Sequence, residues 1–190
     1  MRNPLKQPTL VICMGVSGTG KSTLASALAT ALRWEFIEAD DFHSPQNKDH
    51  MRAGLPLTNA MRAPWFSSIC NYLNQLCTNN QSAVMAFSGL LSEHRARLRT
   101  LGFRTVFIHL QGDKALIAHR IASRENHFMS PTLIDSQFHA LQSTRKEQDV
   151  HSVACQQPPE QVVQLSLTLI NMELDPSMAA KISTIKTFND

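Results

Sequence analysis

The 190-residue chain carries 18 Lys and Arg against 15 Asp and Glu, a net charge of +3, with 43% hydrophobic and 17% charged residues. This is the composition of one ordinary globular domain with a substantial core, and it contains no internal repeat or low-complexity segment. Basic residues are dispersed rather than gathered into a stripe, so no nucleic-acid partner is expected. No apolar run approaches the roughly eighteen residues of a membrane span, so no membrane partner is expected either.

The segment Met1 to Pro8 has no apolar leader core, which makes a cytoplasmic location the expectation. Cys13, Cys70, Cys77 and Cys155 form neither a CxxC pair nor a zinc-spaced cluster. They are expected to be buried free thiols in a reducing compartment.

In chain order, Thr9 to Met14 is apolar and β-branched-rich and predicts a buried strand. The next residues, Gly15-Val16-Ser17-Gly18-Thr19-Gly20-Lys21-Ser22, meet the phosphate-loop pattern of Gly, four residues, Gly, Lys and Ser/Thr. Ala/Leu-rich sequence from Ser22 to Leu32, with Thr23 in its first turn, then predicts a helix. This is the strand–loop–helix context the motif requires. The glycines let the backbone point its amides inward around an anion at a helix N-terminus. Lys21 can reach the β- and γ-phosphates, and the Ser22 hydroxyl is placed to ligate Mg²⁺. ATP and Mg²⁺ are therefore the expected cofactors, with Gly15 through Thr23 as the binding loop.

A second strand is expected over Trp34 to Glu38, ending in the polar run Ala39-Asp40-Asp41-Phe42-His43. Ligands gather at such carboxyl ends in open α/β sheets. Ser44 as cap and Pro45 at the first helical position open a short helix that Gly54 and Pro56 stop. A longer helix runs from about Ala60 to Cys77, then a strand over Ser82 to Phe87 and an arginine-rich helix over Ser92 to Leu101. Thr105 to Leu110 reads as a strand, and Asp113 caps the helix bearing Arg120 and Arg124. Periodicity breaks at Glu125 to Met129, and a helix from Ser130-Pro131 to about Leu141 follows. Val150 to Val153 is a short final strand, and a last helix runs to about Glu173.

Strands alternating with helices imply right-handed crossovers and a parallel sheet of about five strands covered on both faces. The expected fold is α/β, a P-loop kinase domain over residues 1–173 with a small lid at about 121–141. Residues 174–190 read as a tail.

No guanine-reading Asn/Thr-Lys-x-Asp motif is present, and the chain is too short for a separate work-coupled domain. Arg120 and Arg124 lie i,i+4 before the irregular break, as on a mobile lid that lowers arginines onto a transferring phosphoryl group. A solvated basic helix face is the other reading of that pair.

The sequence resembles the thermoresistant-type gluconokinases, relatives of shikimate and nucleoside monophosphate kinases. The matching residues run from about Leu10 to Ser166. They comprise the phosphate loop, Ala39-Asp40-Asp41-Phe42-His43, Asn47-Lys48 with Met51, Gly54-x-Pro56-Leu57, Arg62-x-Pro64-Trp65, Ser88 and Arg95. They continue through Arg124-x-x-His127-Phe128, Ser136-Gln137-Phe138 and Leu141. The resemblance implies ATP-dependent phosphorylation of the 6-hydroxyl of D-gluconate to 6-phospho-D-gluconate, a small sugar-acid substrate and a homodimer.

Under that implication, Lys21, Asp40 and Arg124 are the catalytic set. Asp40 either orients or deprotonates the attacking hydroxyl, or holds Mg²⁺ through water beside Ser22; a capping aspartate is its structural alternative. Arg120 joins the nucleotide-binding loop. Substrate contacts are expected from Asp40, His43, Arg62, Arg95 and His127, the two arginines as forks for a carboxylate. His43 reads equally as a polyol partner or a structural histidine, and Trp65 reads as packing.

The chain departs from the family pattern where Leu91, His94 and Ala96 replace the usual Lys, Tyr and Asp. Asn59 and Met61 replace an acidic pair around Arg62, and Leu141-Gln142-Ser143-Thr144 replaces Leu-Glu-x-Pro. Most of these changes fall around the expected acceptor pocket. They leave open a kinase for another small acid or polyol, or a non-catalytic ATP-binding paralogue.

Overall fold

Six consecutive buried residues, Thr9–Met14 (β1), form the central strand of the sheet. The computed structural model describes residues 7–123, 131–175 and 177. Four further strands are Glu35–Glu38 (β2), Ala83–Ala86 (β3), Arg104–Gln111 (β4) and Val150–Ala154 (β5). Their order is β2-β3-β1-β4-β5, and every pairing is parallel. Between them run helices Lys21–Leu32 (α1), Pro45–Arg52 (α2), Asn59–Thr78 (α3), Ser92–Arg99 (α4), Lys114–Ala122 (α5), Pro131–Ala140 (α6) and Pro159–Leu174 (α7). The expected α/β phosphate-loop architecture is thus the one observed.

Side chains alternate across a strand, and β1 divides the core accordingly. Leu10, Ile12 and Met14 pack with Trp65, Ile69 and Leu73 of α3 and with Leu98 of α4. Val11 and Cys13 face the other way, against Leu24 and Leu28 of α1 and Val162 and Ile170 of α7. A third, smaller cluster joins Val16 of the loop to Ile117 and Ile121 of α5 and Ile134 of α6. Among the described residues no helix is long and apolar enough to cross a membrane. All four cysteines are free; Cys13, Cys70 and Cys155 are buried, whereas Cys77 is only half-buried.

Local chemistry accounts for the helix starts. The Ser44 hydroxyl accepts from Asn47 N at 3.2 Å, Thr58 from Met61 N at 3.3 Å, and the Asp113 carboxylate from Leu116 N at 2.7 Å. Element ends shift by a residue or two from expectation, most usefully at the second strand. Trp34 precedes β2: α1 ends through Arg33 at φ 55°, and Trp34 N still bonds Ala29 O, so it belongs to the turn. Asp40 follows the strand at its carboxyl end, as expected, and lies in a 3-10 turn, Ala39–Phe42. Of the expected lid, residues 124–130 lie outside the described residues, as do 176 and 178–190 of the expected tail.

Candidate active site

The loop between β1 and α1 closes on itself. Gly15, at φ 141°, lies so near β4 that an added Cβ would meet Leu110 O at 2.6 Å. Gly20 occupies the N-cap of α1 at φ 95° and supplies no side-chain cap, leaving the first amides of α1 without one. Thr19 Oγ1 donates to Val16 O at 2.9 Å and Lys21 Nζ to the same carbonyl at 3.1 Å, so the lysine lies folded over its own loop.

Among the clefts that touch this loop, two bear on phosphate transfer. The first is bounded by Gly18, Thr19, Gly20 and Thr23 on one side and by Arg120, Cys155 and the start of α7 on the other. Arg120 is fixed there by donating from Nη2 to Cys155 O at 2.8 Å. The second cleft opens where Ser17 and Lys21 meet Asp40, His43, Arg62, Trp65, Ser88 and His94. Its remaining walls are Met51, Leu55 and Leu57, then Leu90 and Leu91, then Ser136, Gln137 and Ala140 of α6.

Asp40 presents an exposed carboxylate to this second cleft, 3.9 Å from His43 Nε2. His43 is buried and stacked on Trp65, whose Nε1 donates to Ala39 O at 2.7 Å. Burial lowers the His43 pKa more than the Asp40 charge raises it, which keeps the imidazole neutral near pH 7. His94 is likewise depressed by burial and stacks on Phe66 at 4.1 Å. Arg62 donates from Nη1 to the neutral Asn59 Oδ1 at 3.2 Å and forms no ion pair with a carboxylate among the described residues. Burial pulls its pKa below the ordinary value, yet an arginine stays charged, so the pocket holds a partly desolvated cation.

Sequence reasoning missed Glu38. Its half-buried carboxyl is pushed up chiefly by burial, against a hydrogen bond from the Ser22 hydroxyl. The available signal was its place two residues before Asp40 at the same strand end. Ser22, Glu38 and Asp40 are all oxygen donors, and among the described residues no group of three or more His, Cys, Asp or Glu is placed to hold a metal ion. That set suits a hard cation that keeps its waters and leans on phosphate oxygens.

Arg95 requires a correction. It was expected to grip a substrate carboxylate, but its guanidinium is fully buried behind the pocket wall. Nε donates to Glu147 at 3.0 Å, Nη1 to Gly89 O and Leu90 O at 2.7 and 3.1 Å, and Nη2 to Glu147 at 2.5 Å. Gln142 O and Ser143 O, each at 3.4 Å, complete the shell. Its donors are used internally, and it clips the loop after β3 to the segment after α6. Trp65 packs as expected, buried between His43 and Phe87. Arg124, His127 and Phe128 lie outside the described residues.

Residues 10–148 match the AAA domain family. A gluconokinase of Gluconobacter oxydans is 36% identical over 158 residues, covering 83% of this chain and 89% of its own length. An Arabidopsis thaliana gluconokinase is 35% identical over 180 residues, covering 88% and 95%. The crystal structure of a gluconokinase from Sinorhizobium meliloti superposes with a TM-score of 0.79 at 31% identity, covering 92% of this chain and 98% of that one.

Proposed function

The chain belongs to the gluconokinase family, and from that premise we propose that it transfers the γ-phosphoryl group of ATP to the 6-hydroxyl of D-gluconate. The observation that carries this reading is the meeting of Ser17 and Lys21 with Asp40, His43 and Arg62 around one pocket at the end of the phosphate loop.

The triphosphate is held by the loop amides and the N-terminus of α1, with the nucleoside in the cleft beside Thr23 and Arg120. Lys21 leaves Val16 O for the β- and γ-phosphates. Arg62 holds the acceptor's carboxylate, and His43, neutral, offers its imidazole to a hydroxyl. Asp40 orients the attacking hydroxyl and takes its proton as the new O–P bond forms and the bond from the γ-phosphorus to the ADP oxygen breaks. Ser22, Glu38 and Asp40 are the residues that would hold Mg²⁺, which would supply charge neutralisation on the phosphates. Arg124, carried over from the family motif, is assigned to the transferred phosphoryl group, and His127 to the substrate.

ADP release measured with ATP and Mg²⁺ against gluconate, other sugar acids, shikimate and nucleoside monophosphates tests the reading. Gluconate-dependent turnover that disappears in Lys21→Ala and falls by about 10²-fold or more in Asp40→Asn supports it. ATP binding without turnover on any acid overturns it. Silence on gluconate with turnover of another acid keeps the kinase and moves the specificity to the wall containing Leu91 and His94, where the chain departs from its family.

A further inference from the structure

The side chain of Gln137, on α6, grips the phosphate loop at Ser17. Its Oε1 accepts from Ser17 N at 2.7 Å, and its Nε2 donates to Ser17 Oγ at 3.2 Å. The contact spans 120 positions of sequence and engages both polar groups through which Ser17 could hold an anion.

Which phosphate would claim Ser17 follows from the two clefts. Gly18, Thr19, Gly20 and Thr23 line the cleft with Arg120, whereas Ser17 and Lys21 line the pocket with Asp40 and Arg62. If the nucleoside occupies the first and the acceptor the second, the phosphate chain runs along the loop, and its terminal group arrives at the Ser17 end. An ADP chain stops short of it. We infer that Gln137 is a specificity-determining residue that discriminates between triphosphate and diphosphate. Its carboxamide occupies the Ser17 amide when no terminal phosphate is present and must be displaced when one arrives. This inference rests on the proposed placement of nucleotide and acceptor.

The energetics permit displacement. An anionic phosphate oxygen is a stronger acceptor for an N–H than a neutral carboxamide, so the triphosphate wins, at the cost of the Gln137 contact. That cost falls on ATP and not on ADP. After transfer, Ser17 passes back to Gln137, which favours departure of the phosphorylated acceptor. The same residue joins the two sites physically, because Ser136, Gln137 and Ala140 all face the acceptor pocket. The helix does not depend on this contact for its seat. Ile134 is buried against Val16, Ile117 and Ile121, and Gln142 N donates to Leu90 O at 2.9 Å just beyond its end.

The test is equilibrium binding of ADP and of a non-hydrolysable ATP analogue, with Mg²⁺, to the wild-type chain, Gln137→Ala and Gln137→Glu, with thermal midpoints confirming that all three fold. Losing a competitor worth one net hydrogen bond should tighten the triphosphate analogue by about three- to tenfold in Gln137→Ala. ADP should stay within about twofold, since its chain does not displace the contact. Gln137→Glu keeps an acceptor for Ser17 N and adds like-charge repulsion, so the analogue should weaken by about tenfold or more while ADP moves less. An analogue that binds Gln137→Ala no tighter than wild type, or an equal shift of both nucleotides, overturns the inference while leaving the kinase reading standing. Failure of the wild-type chain to bind either nucleotide overturns both.

Discussion

His43 lies flat against Trp65, with ring centroids 4.4 Å apart and an interplanar angle of 9°. The indole in turn bonds Ala39 O, the first residue of the 3-10 turn that carries Asp40. One buried tryptophan on α3 therefore sets both the face of His43 and the position of the carboxylate assigned to the acceptor hydroxyl. Trp65→Phe keeps an aromatic face but loses the indole bond to Ala39 O. It should lower stability by about 1–2 kcal/mol and reduce kcat more than it changes the Kd for nucleotide. Trp65→Ala opens the core and should lower stability by about 3–5 kcal/mol. Urea titrations and steady-state kinetics on the two variants separate these effects; equal kcat in Trp65→Phe and wild type would remove the positioning role.

Three histidines, His43, His94 and His109, are held below their ordinary pKa, each chiefly by burial. Between the folded and unfolded pKa the unfolded chain binds more protons, so stability rises with pH there. The contribution is complete above about pH 6.5, the unfolded value, and is lost as pH falls through the folded values. Thermal midpoints should therefore be flat from about pH 7 to 8 and fall below about 6.5. His94→Gln should make that fall shallower. A midpoint that rises on acidification would contradict the assignment.

Much of this architecture was legible because its causes are local. Consecutive apolar residues marked β1, the glycine spacing marked the loop, and Ser44, Pro45 and Asp113 marked helix starts through bonds reaching only three residues. Asp40 was found because strand ends are where such sheets carry ligands, although a 3-10 turn rather than the strand presents it. What escaped was non-local. Arg95 looks like a free cation in sequence because Glu147, the carboxylate that engages it, lies 52 positions away. Glu38 looks like a solvated strand residue until α1 brings the Ser22 hydroxyl to it. Gln137 carried no chemistry until the fold set α6 beside Ser17.

Removing Arg95 should be among the most damaging single changes in the chain. Its loss removes the donor to the Gly89 carbonyl, leaves Leu90 O with Gln142 N alone, and strips Glu147 of one of its two arginine partners. Arg95→Ala should cost about 3–5 kcal/mol, the range for breaking a buried pair from one side. Arg95 also holds the Glu147 carboxyl below the usual range, so the wild-type pair stabilises fully above the ordinary glutamate pKa and weakens as pH falls through the depressed one. Denaturant midpoints at neutral and acid pH should thus differ less in Glu147→Gln than in wild type. A variant at Arg95 that keeps full stability but loses acceptor binding would instead restore the substrate role.

Among the described residues that line the pocket, Arg62 is the cation that remains for an acceptor carboxylate once Lys21 is committed to phosphates. Its side-chain partner Asn59 is neutral, and no carboxylate among the described residues pairs with it, which leaves the charge of Arg62 available to a substrate. Asn59→Asp would create an i,i+3 ion pair on α3 and compete with that substrate. The change should raise the KM for gluconate by about two- to fivefold and leave the KM for ATP unaltered, as an exposed helix pair is worth only a few tenths of a kcal/mol to about 1 kcal/mol. Arg62→Ala removes a charge-assisted contact and should raise the same KM by about 10- to 150-fold. Added salt should reproduce part of the loss in wild type by screening the carboxylate, and should do so less in Arg62→Ala. Gluconate KM values that ignore both substitutions and ionic strength would place the carboxylate elsewhere in the pocket.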